Sequence, residues 1–487
     1  MSTNKFFGGK LASGALLIAA GLLGASLQAQ AAAVITINNL NAPGVGFNDT
    51  TPVDPVGGNT GTTLGQQRLI AFTHAANIWG ATLTSDQPIV INAQFSDLTC
   101  TATSATLGSA GATSIFRNFA NAPKANTWYS YALANKIAGA YLGTAGAAQI
   151  NANFNAKLGR TGCLDGTFFY LGLDSNHGSN IDFVVTLLHE MGHGVGFQTF
   201  TNGTTGAQNG STGGIGGFPA IWDHFLMGSA TGKLWKDMTN AERQASAVSG
   251  DKLVWNGPIV NAAVPQVLRQ GVPALNISGS QAGATAGAHA VGEASFGPAL
   301  TASALTGAIM PVVTAAGALD VACDPLTGLN AMAVRGNVAL VSRGVCGFTI
   351  KVKNLQNAGA RAVLVADNAP GSVTGLGGSD PTVTIPSVRI TQADGVALLA
   401  ALGKRTRTTS AVYASLGLDM NRYAGTDALG RMMMFAPNPF QSGSSVSHFD
   451  TSATRNLLME PSINADLTQS PVLPQDLTFK LLQEIGW

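Results

Sequence analysis

The sequence predicts an α+β protein in which a small α/β domain interrupts a larger mixed domain. Three observations predict this class. Strand-like runs separated by Gly, Asn and Thr clusters fill the chain up to about residue 175, with one helical stretch among them. An apolar helix follows at about residues 181–195. Later, two β runs flank one clear helix between residues 337 and 366, which is the pattern of a strand–helix–strand unit.

The first 31 residues have the pattern of a secretory signal. Lys5 and Lys10 precede an apolar stretch from Leu11 to Leu27, and small residues stand at Ala29 and Ala31. We therefore expect cleavage near residue 31 and a secreted, extracellular protein without stable membrane insertion. A membrane anchor is the alternative, but this stretch is rich in Gly and Ser, and no later segment has the roughly 18 uninterrupted apolar residues of a membrane span.

Composition excludes two classes of partner. The formal net charge is +1 and only 10% of the residues are charged, so the chain has no electrostatic footprint for nucleic acid or for an anionic membrane. The length is sufficient for two or three domains. The sequence leaves the oligomeric state open.

Four cysteines in an exported chain predict two disulfides, although three pairings are possible. We expect neighbours to pair, Cys100 with Cys163 and Cys323 with Cys346. The first bridge would then connect two parts of the segment that precedes the apolar helix, and the second would lie inside the later α/β domain.

Several elements are predicted in order along the first part of the chain. The strands are Val34–Ile37 and Ile89–Phe95, a helical stretch covers residues 129–140, and the apolar helix of residues 181–195 is followed by a flexible loop at residues 203–217. Ser179 and Asp182, three residues apart, are a plausible capping pair for the apolar helix. Gly194 and Gly196 can end it and turn the chain.

The apolar helix carries the motif HEMGHGVGF, from His189 to Phe197. His189 and His193 are four residues apart, so both project from one face of a helix and can reach one ion. Glu190 follows the first histidine, the usual position of a base that acts on water at zinc. Histidine is scarce, with seven in 487 residues, which makes the motif specific. The alternative is an amphipathic core helix with two satisfied histidines, but buried polar groups without compensation are costly.

A catalytic zinc takes a third protein ligand. In the extended pattern HExxHxxGxxH that ligand is six residues after the second histidine, where this chain has Thr199, a poor zinc ligand. A glutamate on a nearby helix is not supported, because the next one after the motif is Glu242. The remaining candidates are Asp223, His224 and His448, with His74, His177 and His289 less well placed. Asp223 has a second interpretation, as a hydrogen-bond partner of a zinc histidine.

Residues of the later α/β domain resemble the protease-associated (PA) domain. The resemblance lies in Val341-Ser-Arg-Gly-Val-Cys-Gly-Phe, in Lys353-Asn-Leu-Gln-Asn-Ala-Gly-Ala, and in Ile385-Pro-Ser-Val. It implies an inserted, non-catalytic domain over residues 281–418 that binds substrate or gates access. A mere spacer is the alternative.

The motif, the segment SHFD at His448 and the segment LLMEP at Met459 occur in the order found in leishmanolysin, and the chain thus resembles the leishmanolysin-like metzincin zinc proteases. The resemblance implies that His448 is the third zinc ligand and that Met459 lies beneath the site. It also implies a metzincin-like catalytic domain in two parts, residues 32–280 and 419–487. Only four cysteines are present, so the disulfide framework of leishmanolysin does not transfer.

These observations predict a secreted zinc metalloendopeptidase that binds one catalytic Zn²⁺ and acts on protein or peptide substrates. Hydrolysis would use water activated by zinc, with Glu190 as the general base. Two alternatives belong to other classes: a catalytically silent binding or adhesion protein that uses the PA domain, and a zinc hydrolase that acts on a non-peptide bond.

Overall fold

The structure is a computed structural model that describes residues 31–210, 216–371 and 373–487. The predicted signal at residues 1–31 falls outside the described residues except for its last position. The helices are α1 Leu64–Thr82, α2 Tyr131–Ala138, α3 Phe183–Val195, α4 Asn240–Ser246, α5 Pro258–Val267, α6 Gly328–Val334, α7 Phe348–Asn357, α8 Gln392–Ala401 and α9 Thr478–Ile485. In this part of the chain no helix is both long and apolar enough to cross a membrane.

The strands range in length from two to eleven residues. They are β1 Ile35–Asn39, β2 Ile89–Ser96, β3 Cys100–Thr101, β4 Ser104–Ala105, β5 Gly108–Ala112, β6 Ile115–Phe116, β7 Tyr129–Ser130, β8 Ile150–Asn155, β9 Phe169–Tyr170, β10 Ile181–Asp182, β11 Leu226–Gly228, β12 Lys233–Leu234, β13 Leu253–Trp255, β14 Gln270–Ser278, β15 Gly287–Ala290, β16 Gly292–Glu293, β17 Leu305–Pro311, β18 Val338–Ser342, β19 Ala362–Ala366, β20 Ser387–Ile390 and β21 Tyr413–Tyr423.

A four-stranded sheet with the order β1-β2-β8-β5 supports the predicted motif helix. Strands β1, β2 and β8 are parallel, whereas the edge strand β5 runs antiparallel to β8. Helix α3 packs on β5 and β8, and helix α1 packs on α3. The indole Nε1 of Trp79 on α1 donates a hydrogen bond of 3.0 Å to the carbonyl of Leu188 on α3. Helix α1 therefore fixes the motif helix on the sheet.

Helix α1 was not among the predicted elements. Its 19 residues begin after Thr63, whose side chain accepts a hydrogen bond from the amide of Gln66 while the Gln66 side chain bonds back to the cap. This reciprocal pair is a capping box, which satisfies free amides at the start of a helix. The Thr63-x-x-Gln66 spacing was the sequence signal that could have revealed it.

An eight-stranded sheet with the order β15-β14-β21-β17-β18-β19-β20-β16 forms the second body of structure. Its centre from β17 to β20 is parallel, and α7 connects β18 to β19 as the sequence predicts. The chain enters this sheet on β14 and leaves it on β21, and these two strands are antiparallel neighbours. Adjacent entry and exit are what an inserted domain requires. The sheet extends beyond both ends of the expected insert, residues 281–418, because β14 lies before residue 281 and β21 ends after residue 418.

Apolar burial follows the same division. One cluster of buried residues draws on the chain from Ala33 to Leu268 and again from Met432 to Ile485. Two further clusters, one on each side of the second sheet, contain residues between Leu275 and Leu416. The segments before and after the second sheet thus share one core, and the second sheet has its own.

Both predicted disulfides are confirmed. Cys100 pairs with Cys163, and Cys323 pairs with Cys346. The first joins β3 to the loop after β8, close to the first sheet. The second joins the segment before α6 to the loop before α7 in the second sheet.

Candidate metal centre

Helix α3 carries the motif and lies in the apolar core that the segments before and after the second sheet share. All thirteen of its residues are buried, and Asp182 caps its start by accepting a hydrogen bond of 3.1 Å from the amide of Val185. Asp182 is thus the N-cap itself, and the expected pairing with Ser179 is not formed. Gly196 ends the helix with a φ of 131°, a conformation that favours glycine.

The structure brings His448 to the two motif histidines, 255 residues after His193. Its Nε2 atom lies 3.1 Å from Nε2 of His193 and 3.3 Å from Nε2 of His189. All three side chains are buried, with exposed fractions between 4 and 8%. In the part of the chain that the structure describes, this is the one group of three or more His, Cys, Asp or Glu side chains placed to hold a metal.

The outer nitrogen of each ring faces a backbone carbonyl. The pairs are His189 Nδ1 with Leu458 O at 2.7 Å, His193 Nδ1 with Phe197 O at 2.8 Å, and His448 Nδ1 with Ser444 O at 2.7 Å. A carbonyl oxygen only accepts, so each Nδ1 carries a proton and donates it. Each neutral ring therefore directs an Nε2 lone pair toward the other two.

Three lone pairs that face one another repel, and a cation between them removes the repulsion. With Zn–N distances of about 2.0–2.1 Å, two ligands of a tetrahedral ion lie about 3.3 Å apart, close to the separations observed. Burial lowers the pKa of His189 to about 4 and, with the adjacent His189, that of His193 to about 3. The pKa of His448 is lowered by the same causes. Neutral imidazoles are the form that binds metal, so the donor set fits zinc.

Glu190 follows His189 in the motif helix, and its side chain lies against the edge strand β5. Its side chain is buried, and a Cβ placed on Gly108 of β5 would lie 3.1 Å from the Glu190 Cγ. Burial raises the pKa of Glu190 to about 8, and the amide of Ala110 on the same strand opposes this rise. A carboxyl group with a raised pKa in a buried site is suited to accept and return a proton.

Met459 is fully buried directly under the motif helix. A Cβ built on Gly192 would lie 2.7 Å from the Met459 Sδ and 3.3 Å from its Cε. The methionine thus fills the space that glycine leaves between the two motif histidines.

The other candidate ligands lie elsewhere. The carboxylate of Asp223 accepts hydrogen bonds from the hydroxyls of Thr199 and Thr201 and from the amide of Ala220. His224 faces the hydroxyl of Thr127 at 3.0 Å. Neither residue belongs to the histidine cluster, and the partners of the Asp223 carboxylate are two hydroxyls and an amide. Asp223 instead holds the loop that follows helix α3, because its three donors all belong to that loop and to the turn it packs on.

The three histidines that the sequence places less well, His74, His177 and His289, also lie outside the cluster. Both ring nitrogens of His177 face carbonyl groups, those of Asn180 and Ala465, and His289 pairs with Asp394 in the second sheet. His74 lines an open surface cavity on helix α1, away from the cluster.

Sequence reasoning missed the groups that orient the three rings. They are main-chain carbonyls, and a carbonyl is present at every residue, so the sequence carries no signal for them. The carboxylates of Glu460 and Asp476 were also missed. Both are buried next to the turn that contains Met459, with exposed fractions of 1 and 2%. The sequence carried one signal for Asp476, since an acidic residue just before an apolar helix is typical of a helix start, and Asp476 stands just before α9.

Comparison with known proteins identifies one region. Residues 306–398 match the PA domain family, which confirms the predicted PA domain within the second sheet. The chain is 40% identical over 107 residues to "Receptor homology region, transmembrane domain- and RING domain-containing protein 1" of Oryza sativa subsp. japonica, covering 22% of this chain and 19% of that protein. It is 41% identical over 81 residues to "Leucine aminopeptidase 2" of Arthroderma otae, covering 16% of each. The chain thus spans less than a fifth of these relatives.

Solved structures give a likeness of similar extent. BSAP, a zinc aminopeptidase from Bacillus subtilis, matches with 24% identity and a TM-score of 0.22 over 33% of this chain and 36% of that chain. An aminopeptidase from Aneurinibacillus sp. strain AM-1 matches with 22% identity and a TM-score of 0.23 over 33% of this chain and 38% of that chain.

Proposed function

We propose that the chain is an exported zinc-dependent endopeptidase in which His189, His193 and His448 hold the metal and Glu190 is the general base. The observation that carries the proposal is the convergence of three buried Nε2 atoms, with His193 and His189 lying 3.1 and 3.3 Å from His448. The motif helix also carries the buried carboxyl group of Glu190. Each ring is held in this orientation by a hydrogen bond from Nδ1, as metal-ligating histidines usually are.

The reaction follows from these positions. Zinc bound there would acidify water and polarise a carbonyl group. Glu190 accepts the proton of the attacking water and returns it to the leaving amine, so one carboxyl group serves both transfers. Three neutral histidines leave the positive charge of the ion uncompensated, which favours acidification of the water.

Strand β5 supports a peptide as the substrate. It is the edge of its sheet, so its outer backbone groups have no partner strand among the described residues. An extended peptide can pair with such an edge through main-chain hydrogen bonds. The residues of β5 are Gly, Ser and Ala, which leave room for the side chains of a peptide, and Gly108 places this edge beside Glu190. A strand-like substrate that continues on both sides of the scissile bond is an endopeptidase substrate.

The PA domain does not decide the activity. Its relatives by sequence include, by their names, an aminopeptidase and a RING domain-containing protein. A shared domain in proteins of different kinds is consistent with an accessory role. The proposal therefore rests on the metal centre. The name of the aminopeptidase relative agrees with a peptidase activity in general.

The decisive experiment measures zinc content and the cleavage of casein and of a peptide blocked at both ends. We expect about one zinc per chain, cleavage of both substrates, and loss of cleavage with a chelator. Glu190→Gln should retain zinc and lose activity by several orders of magnitude. Glu293→Gln is a matched change on strand β16 of the second sheet, where the amide oxygen can still accept from the amide of Leu300, and this variant should remain active.

Other outcomes would favour the alternatives. Zinc without any chelator-sensitive proteolysis contradicts the peptidase proposal and favours a binding protein or a hydrolase of non-peptide bonds. Cleavage of free-amine peptides but not of blocked ones contradicts the endopeptidase assignment and indicates an aminopeptidase.

A further inference from the structure

The C-terminal segment, residues 457–487, contacts the motif helix α3 at its start, its middle and its end. The contacts in order along the helix are Gln469 Nε2 to the Asp182 carboxylate at 3.0 Å, His189 Nδ1 to Leu458 O at 2.7 Å, and Trp487 Nε1 to Val195 O at 2.8 Å. The middle contact is part of the metal centre. Whatever fixes Leu458 therefore also fixes the ring of His189.

Two buried carboxyl groups hold the turn that contains Leu458. Glu460 accepts a hydrogen bond of 2.8 Å from the amide of Leu457, and Asp476 accepts one of 2.6 Å from the amide of Leu458. The other oxygen of Asp476 accepts from the amide of Thr478 at 2.7 Å, at the start of helix α9. Asp476 thus joins the turn to the C-terminal helix through both of its oxygens.

Leu458 uses its two backbone groups for different partners. Its amide donates to Asp476, and its carbonyl accepts the Nδ1 proton of His189. The carbonyl decides which nitrogen of His189 carries the proton and where the ring points. A rotation of the turn about Leu458 would move the carbonyl and release the ring, and the bond to Asp476 opposes that rotation.

We propose that Asp476 is a positioning residue for the metal centre, which acts through the Leu458 backbone to hold His189 with its Nε2 toward the metal. The inference rests on the metal centre of the proposed function. The hydrogen bonds of Asp476 go to the amides of Leu458 and Thr478 and not to a histidine, so it acts through another residue and is not a catalytic residue. The alternative is that Asp476 only caps helix α9, in which case its loss would affect stability but not the metal.

Glu484, on the helix α9 that follows Asp476, provides a matched control. Its carboxylate also accepts two short hydrogen bonds, from the Trp255 indole at 2.9 Å and from the amide of Ile259 at 2.7 Å. None of these partners belongs to the metal centre. Asp476→Asn and Glu484→Gln each replace one of two accepting oxygens by an NH2 group that only donates, so each variant loses one comparable hydrogen bond.

The experiment measures the dissociation constant for zinc on the full chain, by competition with a chromophoric chelator, together with urea unfolding of the same variants. We expect Asp476→Asn to weaken zinc binding about 10- to 100-fold, the range found for groups that orient metal ligands. Glu484→Gln should change zinc binding less than twofold at a similar loss of stability. Asp476→Glu, which keeps the charge, should recover part of the affinity and serves as the test if Asp476→Asn does not fold.

The outcomes separate this inference from the proposed function. Equal zinc affinity in wild type, Asp476→Asn and Asp476→Glu overturns it, as does an equal loss of affinity in Glu484→Gln. A wild-type chain that binds no zinc overturns both proposals. A chain that binds zinc with the expected order of affinities but cleaves no peptide supports the inference and contradicts the peptidase.

Discussion

The sulphur of Met459 lies directly under Gly192, close enough that a methyl group on Gly192 would come within 2.7 Å of it. Gly192 stands between the two motif histidines, and Met459 is one residue from the carbonyl that orients His189. Shape complementarity at this contact thus couples the motif helix to the turn below the metal centre.

Gly192→Ala should therefore disturb both stability and metal binding. The added methyl group overpacks a buried site, an effect that typically costs about 1–3 kcal/mol. Displacement of Met459 would also move the turn that holds His189, so zinc affinity should fall. The double variant Gly192→Ala with Met459→Ala removes the clash and should recover part of the zinc affinity. Urea unfolding and zinc competition on wild type, the two single variants and the double variant measure the coupling between the two residues. Strictly additive losses of zinc affinity and stability would contradict that coupling.

The assignment of the third ligand is tested by a pair of alanine variants. His448→Ala removes one of three nitrogen donors and should abolish zinc retention during dialysis. Asp223→Ala should keep zinc but lose stability, because it leaves the hydroxyls of Thr199 and Thr201 and the amide of Ala220 without their acceptor. Zinc content by metal analysis distinguishes the two. The reverse order would show that the resemblance used for His448 is wrong.

The motif residues could be read from the sequence because helical spacing alone places His189 and His193 on one face. His448 was harder, since the chain returns to the site only after the second sheet, and only the resemblance around SHFD and LLMEP indicated it. The orientation of the rings could not be predicted at all. It depends on the carbonyls of Leu458, Phe197 and Ser444, which have no sequence signature.

The fold was predictable where local patterns were strong. The predicted strand at Ile89 and the predicted strand–helix–strand unit between residues 337 and 366 both occur in the structure, the latter as β18, α7 and β19. Helix α1 was missed because its apolar residues do not form a single stripe, and buried residues such as Gln67 and Gly80 occur among them. The order of strands in the first sheet depends on contacts far apart in sequence, which local patterns do not contain.

The capping box of helix α1 makes a prediction about the support of the metal centre. Thr63→Ala removes the acceptor for the Gln66 amide and should lower the free energy of unfolding by about 1 kcal/mol. Thr73→Ala is the matched control, because the Thr73 hydroxyl is exposed and bonds only to the carbonyl of Leu69 within the same helix. Thr73→Ala should change stability by less than about 0.5 kcal/mol. Urea unfolding of both variants measures the difference, and equal effects would show that the cap does not stabilise α1.

Glu460 predicts how stability depends on pH. Burial raises the pKa of this carboxyl from an ordinary value of 4.5 to about 8, and the nearby Asp450, Asp466 and Asp476 act in the same direction. Between these two values the folded chain binds more protons than the unfolded chain, so the contribution of Glu460 to stability is present below pH 4.5 and is lost as pH rises toward 8. One unit of pKa shift corresponds to about 1.4 kcal/mol, so the loss amounts to a few kcal/mol.

Glu460→Gln replaces the carboxyl group by a neutral amide whose oxygen can still accept from Leu457. The variant should therefore lack this part of the pH dependence and gain stability relative to wild type between pH 5 and pH 8. Urea unfolding of both proteins at several pH values in this range measures the difference. A constant difference across the range would mean that Glu460 titrates alike in the folded and unfolded chain, and a difference that grows in favour of wild type would show that the folded state prefers the carboxylate.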